Sequence, residues 1–550
     1  MENTVFFDIE VFSHNAFVVF KDINKKLLRV FHNNFVGLEK FIEGRTLVSY
    51  NGYFYDDHIL HAMLDLRTPT QLKALNDRII GGERPKIKNY RFKSLDCFQQ
   101  IDVGFPSLKK IEGNMGKMIL ESSVSFDIDR PLTDEEFTDV LEYCKYDVDM
   151  LVEVYKQRIN SYFAPKESLL EMLGDDRGRR WNTTTLSANV LLDKPLTKWS
   201  NIRVPEEMLE IVPPEVVDLW LTKDKGSVTI KEFDCEIEFG FGGLHGVHNH
   251  IKHAENVKLL DVASMYPNII LNINALGPAT SKYKDIIDRR IEVKHTDKTL
   301  SDALKLVLNS VYGNLKNQYS LLNNPKAALS VCVYGQIALY DLCRRLSPFA
   351  NIININTDGV AFIPYSDDYK LVWKDWEKEF NLTLEEDEFD LLIQKDVNNY
   401  IAKKGDDIKC KGGDVTRFHA DAFFKNNNAR IIDIALVNKL VDGKDIIETL
   451  MEHLDRPHLF QYILQAGGTY QGTYDDQDVK HAKVNRVFAA KNGEFCLFKK
   501  RQDGGMVRFA DAPMKMYLWN GECSDIEGFD KMLDLNHYYQ IITKKLERWM

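Results

Sequence analysis

The chain has 550 residues, 44% hydrophobic and 28% charged, with a formal net charge of −11. That length exceeds what one hydrophobic core usually supports, so about three or four structural units are expected, with the composition of a soluble globular enzyme. The absence of a long apolar run excludes a membrane-spanning helix, and the acidic start MENTVFFDIE excludes a basic-then-apolar leader, so no membrane partner and a cytoplasmic location are expected.

Eight cysteines stand at 97, 144, 235, 332, 343, 410, 496 and 523, and none forms a C-x-x-C pair. A zinc ribbon or iron–sulfur site is therefore not signalled, and reduced, mainly buried thiols are expected. The acidic total does not exclude nucleic acid, because binding depends on where cations cluster. Lys403–Lys404, Lys409 with Lys411, and Lys499–Lys500–Arg501 are such clusters, although any one of them reads equally well as a solvated face.

Residues 1–160 alternate β-rich runs with helical stretches, an α/β pattern. TVFFDIEVF and NAFVVF are predicted as neighbouring strands, LEKFIEG as a helix and RTLVSYNG as a further strand. Apolar spacing predicts one long helix over 133–159. The polar, Gly/Arg-rich stretch near 161–180 (GDDRGRR) reads as a connection, and Pro205, Pro213 and Pro214 break the segment after it. A second α/β region runs from about 230 to 425. There NVKLLDVASMYP is a strand ending in a turn, 283–320 are two helical segments separated by HTDKT, and NIININTDGVAFI is a hairpin around an Asp-Gly turn. Residues 426–550 are mixed and carry no clear pattern.

Two sets of residues suggest chemistry. In the first, Asp8 and Glu10 lie two apart in a strand and leave the same face, where two carboxylates repel unless a cation sits between them. YNGYFYDD follows with Asn51 and Asp56, then YCKYDVD with Tyr143 and Asp147 one helical turn apart. Each fragment alone also fits a polar strand face or a packed tyrosine. In the second set, Asp261 ends a strand before Ser264, Tyr266 and Pro267. Lys305, Asn309 and Tyr312 share one helical face, which suits a nucleotide's phosphate and base. Arg290 and Lys294 lie one turn apart upstream, and Asp358 stands at the hairpin tip beside Gly359.

In order, the first set resembles the three exonuclease motifs of proofreading nucleases with four acidic ligands and a tyrosine. D-x-x-S-M-Y-P, K-x-x-x-N-S-x-Y-G and the T-D turn resemble motifs A, B and C of family B DNA polymerases. The resemblance covers most of residues 1–425. It implies a mixed α/β and α+β multidomain fold: an RNase H-like 3′→5′ exonuclease domain over 1–165, then a right-hand polymerase. In that polymerase, 166–250 form a linker and the start of the palm, 251–273 and 321–425 the palm, 274–320 the fingers and 426–550 a thumb.

It further implies that Asp8, Glu10, Asp56 and Asp147 hold two metal ions about 4 Å apart, with Tyr143 orienting water. Asp56 is preferred to Asp57 by its spacing from Asn51, a choice open by one residue. Asp261 and Asp358 would hold a second ion pair, magnesium with manganese as an alternative. Arg290, Lys294, Lys305 and Asn309 would bind the incoming dNTP, Tyr266 would act as steric gate and Tyr312 would line the nascent base pair. Primer–template DNA, dNTPs and a single-stranded 3′ end are the implied partners, with accessory replication proteins open and a monomer expected.

The chain departs from the family in three places. Motif C has Asn356 where an aspartate is usual. The primer-gripping K-x-Y motif has Asn398 before Tyr400, so Lys395, Lys409 or Lys411 would compensate. Gly240 stands at the tyrosine of the Tyr-x-Gly-Gly linker. Asp261 and Lys305 are only 44 positions apart, leaving little room for an inserted subdomain. With the exonuclease motifs beginning almost at residue 1, no separate N-terminal domain is expected, and the layout is that of a compact phage or mobile-element enzyme.

Overall fold

The structure, a computed structural model, describes residues 3–420, 423, 429–493, 495–510 and 512–550. Its chain divides into two compact units of mixed α/β character. One comprises Met1–Phe163, Ala420–Ile432 and Ile447–Tyr539, the other Ala164–His419, Asp433–Ile446 and Gln540–Met550. The region expected as a thumb thus contributes to both, and the expected boundary at 425/426 lies outside the described residues. Among the described residues no helix is long and apolar enough to cross a membrane, and the eight cysteines are free thiols, seven of them buried.

The first unit is built on a five-stranded sheet of β1 (Thr4–Val11), β2 (Ala16–Lys21), β3 (Leu27–His32), β4 (Thr46–Ser49) and β5 (Lys93–Asp96). Their order is β3-β2-β1-β4-β5; β1, β2 and β3 pair antiparallel, whereas β4 runs parallel to both β1 and β5. Strand alternation sends Val5, Phe7 and Ile9 to one face, into a core with Ile59, Leu60 and Leu72. Phe6 goes to the other face, against Val140, Cys144 and Val148 of the helix Asp134–Arg158. Asp8 and Glu10, in phase with Phe6, therefore emerge beneath that helix. Thr133 starts the helix with a reciprocal capping box to Glu136. The polar stretch near 161–180, expected as a connection between units, contains the division at Phe163/Ala164 and is mostly helical, as Ala164–Leu173 and the turn Asp176–Arg180. Gly178 allows this, since a Cβ there would stand 2.7 Å from Leu186.

Residues 447–539 add two three-stranded sheets to the first unit, Tyr462–Gln465 with Val484–Ala489 and Met516–Leu518, and Tyr470–Asp475 with Leu497–Arg501 and Met506–Arg508. Arg486, fully buried, joins this part to residues 1–163: Nε donates to Gln461 Oε1 at 2.7 Å, and the guanidinium also donates to the carbonyls of Gly113 and Lys117.

The second unit carries a nine-stranded antiparallel sheet: β6 (Val228–Glu232), β7 (Cys235–Phe239), β8 (His245–His248), β9 (His253–Val262), β10 (Ala350–Asn356), β11 (Gly359–Pro364), β12 (Leu384–Asp396), β13 (Asn399–Lys404) and β14 (Asp407–Lys411). The order is β14-β13-β12-β9-β11-β10-β8-β7-β6, which places β9 and the β10–β11 hairpin centrally. One face packs on the apolar helix Pro325–Leu346 through Leu260, Val262, Ile355 and Val360. The other carries a smaller core of Val257, Ile353, Phe389 and Ala402, and Asp261 is in phase with this second face.

Candidate active sites

In the first unit Asp8 is half-buried and Glu10 is 7% exposed. Asp56, 3% exposed, opens the helix Asp56–Leu64. The loop before it is pinned by Asp96 at the end of β5. Its carboxylate accepts the backbone N–H groups of Asn51 at 2.8 Å and Tyr53 at 3.2 Å, with Asn51 held in the left-handed region at φ 64°. Asn51, expected as a DNA-binding residue, is thus anchored by its backbone N–H. Of the two adjacent aspartates, Asp57 accepts a hydrogen bond from Ser94 Oγ at 2.7 Å, while Asp56 is the one whose charge Glu10 feels. Helix Asp134–Arg158 brings in Tyr143, Cys144 and Asp147. Cys144 Sγ donates to Asp8 Oδ2 at 3.5 Å.

Burial raises the proton affinity of all four acids here, and in Asp8, Glu10 and Asp56 the neighbouring carboxylates add to it. Asp8 is pushed up to about 7 by burial and then by Asp147. Glu10 rises well above the carboxylate range through burial, Asp8 and Asp147, and Asp56 through burial, Asp8 and Asp57. Burial also raises Asp147, with Lys109 opposing. Lys109 was not anticipated from the sequence. It stands in the helix Leu108–Asn114, forms an ion pair with Asp147 and one at 3.2 Å with the fully buried Glu112, and lies 4.6 Å from the Tyr143 ring centre. No motif marks KKIEGN; only the tertiary fold reveals a buried cation beside the acids.

In the second unit Asp261 sits on β9 with Gly359 of β11 on one side and Glu385 of β12 on the other. The expected Asp-Gly turn differs in detail. Asn356 pairs with Gly359, so Thr357 and Asp358 form the turn, and Thr357 takes the left-handed conformation at φ 48°. Gly359 serves close approach instead: a Cβ there would lie 2.8 Å from Asp261 Oδ1. The turn is fastened by Val262 N–H to Asp358 O at 2.7 Å and Thr357 N–H to Leu244 O at 2.9 Å.

Asp261, Asp358, Asn356, Tyr400, Lys409 and Lys411 line a cavity of about 200 Å³. Burial and then Asp358 push Asp261 up to about 6, with Lys409 pulling the other way; Asp358 is raised by burial against Lys411. Asn356 lines the cavity with its amide donating to Val397 O at 3.1 Å. Lys411 Nζ lies 5.7 Å from the Tyr400 ring centre. Lys395 is not brought to this cavity: it pairs with Asp414 at 2.7 Å, which also holds Lys545 at 2.5 Å.

Tyr266, in the first turn of Met265–Asn272 after left-handed Ser264, lies 4.5 Å from Tyr312, ring centre to ring centre. Lys316 covers the Tyr312 ring at 4.4 Å. The helices Thr280–Val293 and Lys298–Lys316 are joined by Tyr283, whose hydroxyl donates to Leu308 O at 3.3 Å. On them Lys305 and Asn309 are exposed and Arg290 half-buried, and Lys294, just after the first helix, is exposed. Neighbouring Lys284 and Arg289 pair with Asp288 and Glu292. Among the described residues Arg290, Lys294 and Lys305 have no carboxylate partner, and Arg290 Nε is buried without a hydrogen-bond acceptor.

No protein-family model and no curated protein matches the chain. Among solved structures it is similar to the family B DNA polymerase of the hyperthermophilic archaeon Pyrobaculum calidifontis, with a TM-score of 0.46 and 13% identity, over 99% of this chain and 77% of that one.

Proposed function

We propose that the chain is a template-directed DNA polymerase of the family B type with a 3′→5′ proofreading exonuclease. The observation that carries the reading is a pair of separate carboxylate groups in two folding units, one of them lining a cavity together with Lys409 and Lys411. The donors suit hard divalent ions: clustered, largely buried carboxylates with elevated proton affinity, which a cation relieves. Magnesium or manganese held in pairs by Asp8, Glu10, Asp56 and Asp147, and by Asp261 and Asp358, would activate water or the primer 3′-hydroxyl and neutralise the leaving oxygen.

The chain's own residues supply the rest. Arg290, Lys294, Lys305 and Asn309 take the triphosphate, and Arg290 Nε, which has no acceptor among the described residues, gains one there. Tyr266, backed by Tyr312, closes the space a ribose 2′-hydroxyl would need. Tyr400, Lys409 and Lys411 hold the primer strand at the cavity. In the first unit Tyr143 orients the attacking water, and Lys109 holds Asp147 in place and opposes the rise in its proton affinity. A compact layout, with Lys305 only 44 positions after Asp261, favours a role in copying phage or mobile-element DNA.

Two variants test the reading with purified protein, magnesium, dNTPs and a labelled primer–template. Asp358→Ala should abolish primer extension while single-strand degradation persists; Asp147→Ala should do the reverse. If both variants lose both activities, or the wild type extends no primer, the two-site reading fails.

A further inference from the structure

Asp8, Glu10 and Cys144 each offer a ligand atom, and those atoms lie within 4.8 Å of one another. Around a zinc ion, bonds of about 2.3 Å to sulfur and about 2.0–2.2 Å to oxygen leave donors roughly 3–4 Å apart. The Cys144 Sγ to Asp8 Oδ2 separation, 3.5 Å, is already in that range. Glu10 supplies an independent sign of a ligand. The residue is 7% exposed, and among the described residues its carboxylate has neither a hydrogen-bond donor nor a salt-bridge partner. A buried polar group is ordinarily satisfied, so this orphan acceptor, set beside a thiol, points to an absent partner. Half-buried Asp8 gives the ion a way in.

We propose that Asp8, Glu10 and Cys144 form a mixed oxygen–sulfur site that takes a thiophilic divalent cation, Zn2+ or its analogue Cd2+, more tightly than Mg2+. The inference rests on the reading of this cluster as a metal site, and adds that its sulfur gives it a second class of ion. Carboxylates alone suit magnesium and manganese, whereas a thiolate selects zinc-like ions. On binding, the thiol loses its proton to solvent and the sulfur lone pair forms the metal bond, with no change of oxidation state. Zinc seated there competes with the ions that hydrolysis requires.

The test is titration of the full chain with Cd2+, following the thiolate-to-cadmium charge-transfer absorption and measuring affinity by equilibrium dialysis. Wild-type protein should show the band at one equivalent, and Zn2+ but not equimolar Mg2+ should remove it. Cys144→Ser should abolish the band and weaken Cd2+ binding by at least about tenfold. Cys410→Ser, at the half-buried cysteine of the second unit, should leave both unchanged. A wild type without the band, or a Cys144→Ser protein that keeps it, overturns the proposal. If Cys144→Ser does not fold, Glu10→Gln decides: weaker Cd2+ binding with the thiol intact supports the site, and unchanged binding overturns it. Magnesium-dependent strand degradation is scored separately, so failure of the nuclease reading and failure of the sulfur ligand remain distinct.

Discussion

A methyl group on Gly359 would stand 2.8 Å from Asp261 Oδ1, and the nearest atom with any freedom to yield is that carboxylate. Gly359→Ala should therefore move Asp261 while leaving the hairpin paired, since Gly359 does not need a positive φ. Misplacing a reacting group by about 1 Å can cost about a hundredfold. Primer extension should fall on that scale while strand degradation keeps its wild-type rate; equal losses in both assays would refute the assignment. At Asp8 the effect is one of protonation. Its proton affinity is raised from 3.8 to about 7, so the folded state holds a proton that the unfolded chain has released. Stability is accordingly undiminished below 3.8 and is lost as pH rises through about 7. A cation that replaces the proton should restore it. With chelator present, Asp8→Asn should melt higher than wild type at about pH 8, and manganese should raise the wild-type Tm more at about pH 8 than at about pH 5. Identical manganese shifts at both pH values would contradict this.

The helix Asp134–Arg158 carries Tyr143, Cys144 and Asp147, and its register is set from its N-terminus, where Thr133 and Glu136 cap one another. Thr133→Ala removes one acceptor for the first turn and should lower stability by about 1 kcal/mol, read as a shift of the urea midpoint without a change in slope. A loss confined to the noise would mean that tertiary packing alone fixes the helix. This element, the β10–β11 hairpin and the helix pair 280–316 were legible because hydrophobic period and turn chemistry are local. So were Asp8 and Glu10 on one face of β1, because strand alternation dictates it. Lys109, Glu112 and Cys144 were not legible as a group with Asp8, since nothing near them in sequence records what the sheet and two helices bring together. Gly359 was read for the wrong property: its sequence context suggested turn conformation, whereas the need is room for a carboxylate on the adjacent strand. Lys395 looked like a spare cation until Asp414, nineteen residues on, was found to hold it.

At the scale of the whole chain, residues 447–539 were the least readable. Their strands are short, and what they pack on lies more than three hundred positions earlier. The motifs suggested an exonuclease unit complete by residue 165. In the first unit, however, the helix that carries Lys109 is braced from residues 461–523. Gln461 donates to Asn114 O at 3.2 Å, Ile119 N–H donates to Asn520 O at 2.7 Å, and Ile463 and Val484 close over Ile119. Arg486 Nη2 donates to two carbonyls of this same segment, those of Gly113 and Lys117. A fragment ending at residue 165 would expose that apolar patch and release the carbonyls of Gly113, Asn114 and Lys117, so the segment should fray first and Lys109 should lose its place between Asp147 and Glu112. Amide hydrogen exchange should show residues 108–121 unprotected in the fragment and protected in the full chain, while β1 and β4 remain slow in both. Degradation of single strands by the fragment should fall with the loss of Lys109, without any change to the four carboxylates. If 108–121 are equally protected in both proteins, the C-terminal strands are dispensable to the first site and the motif-based boundary is the true one.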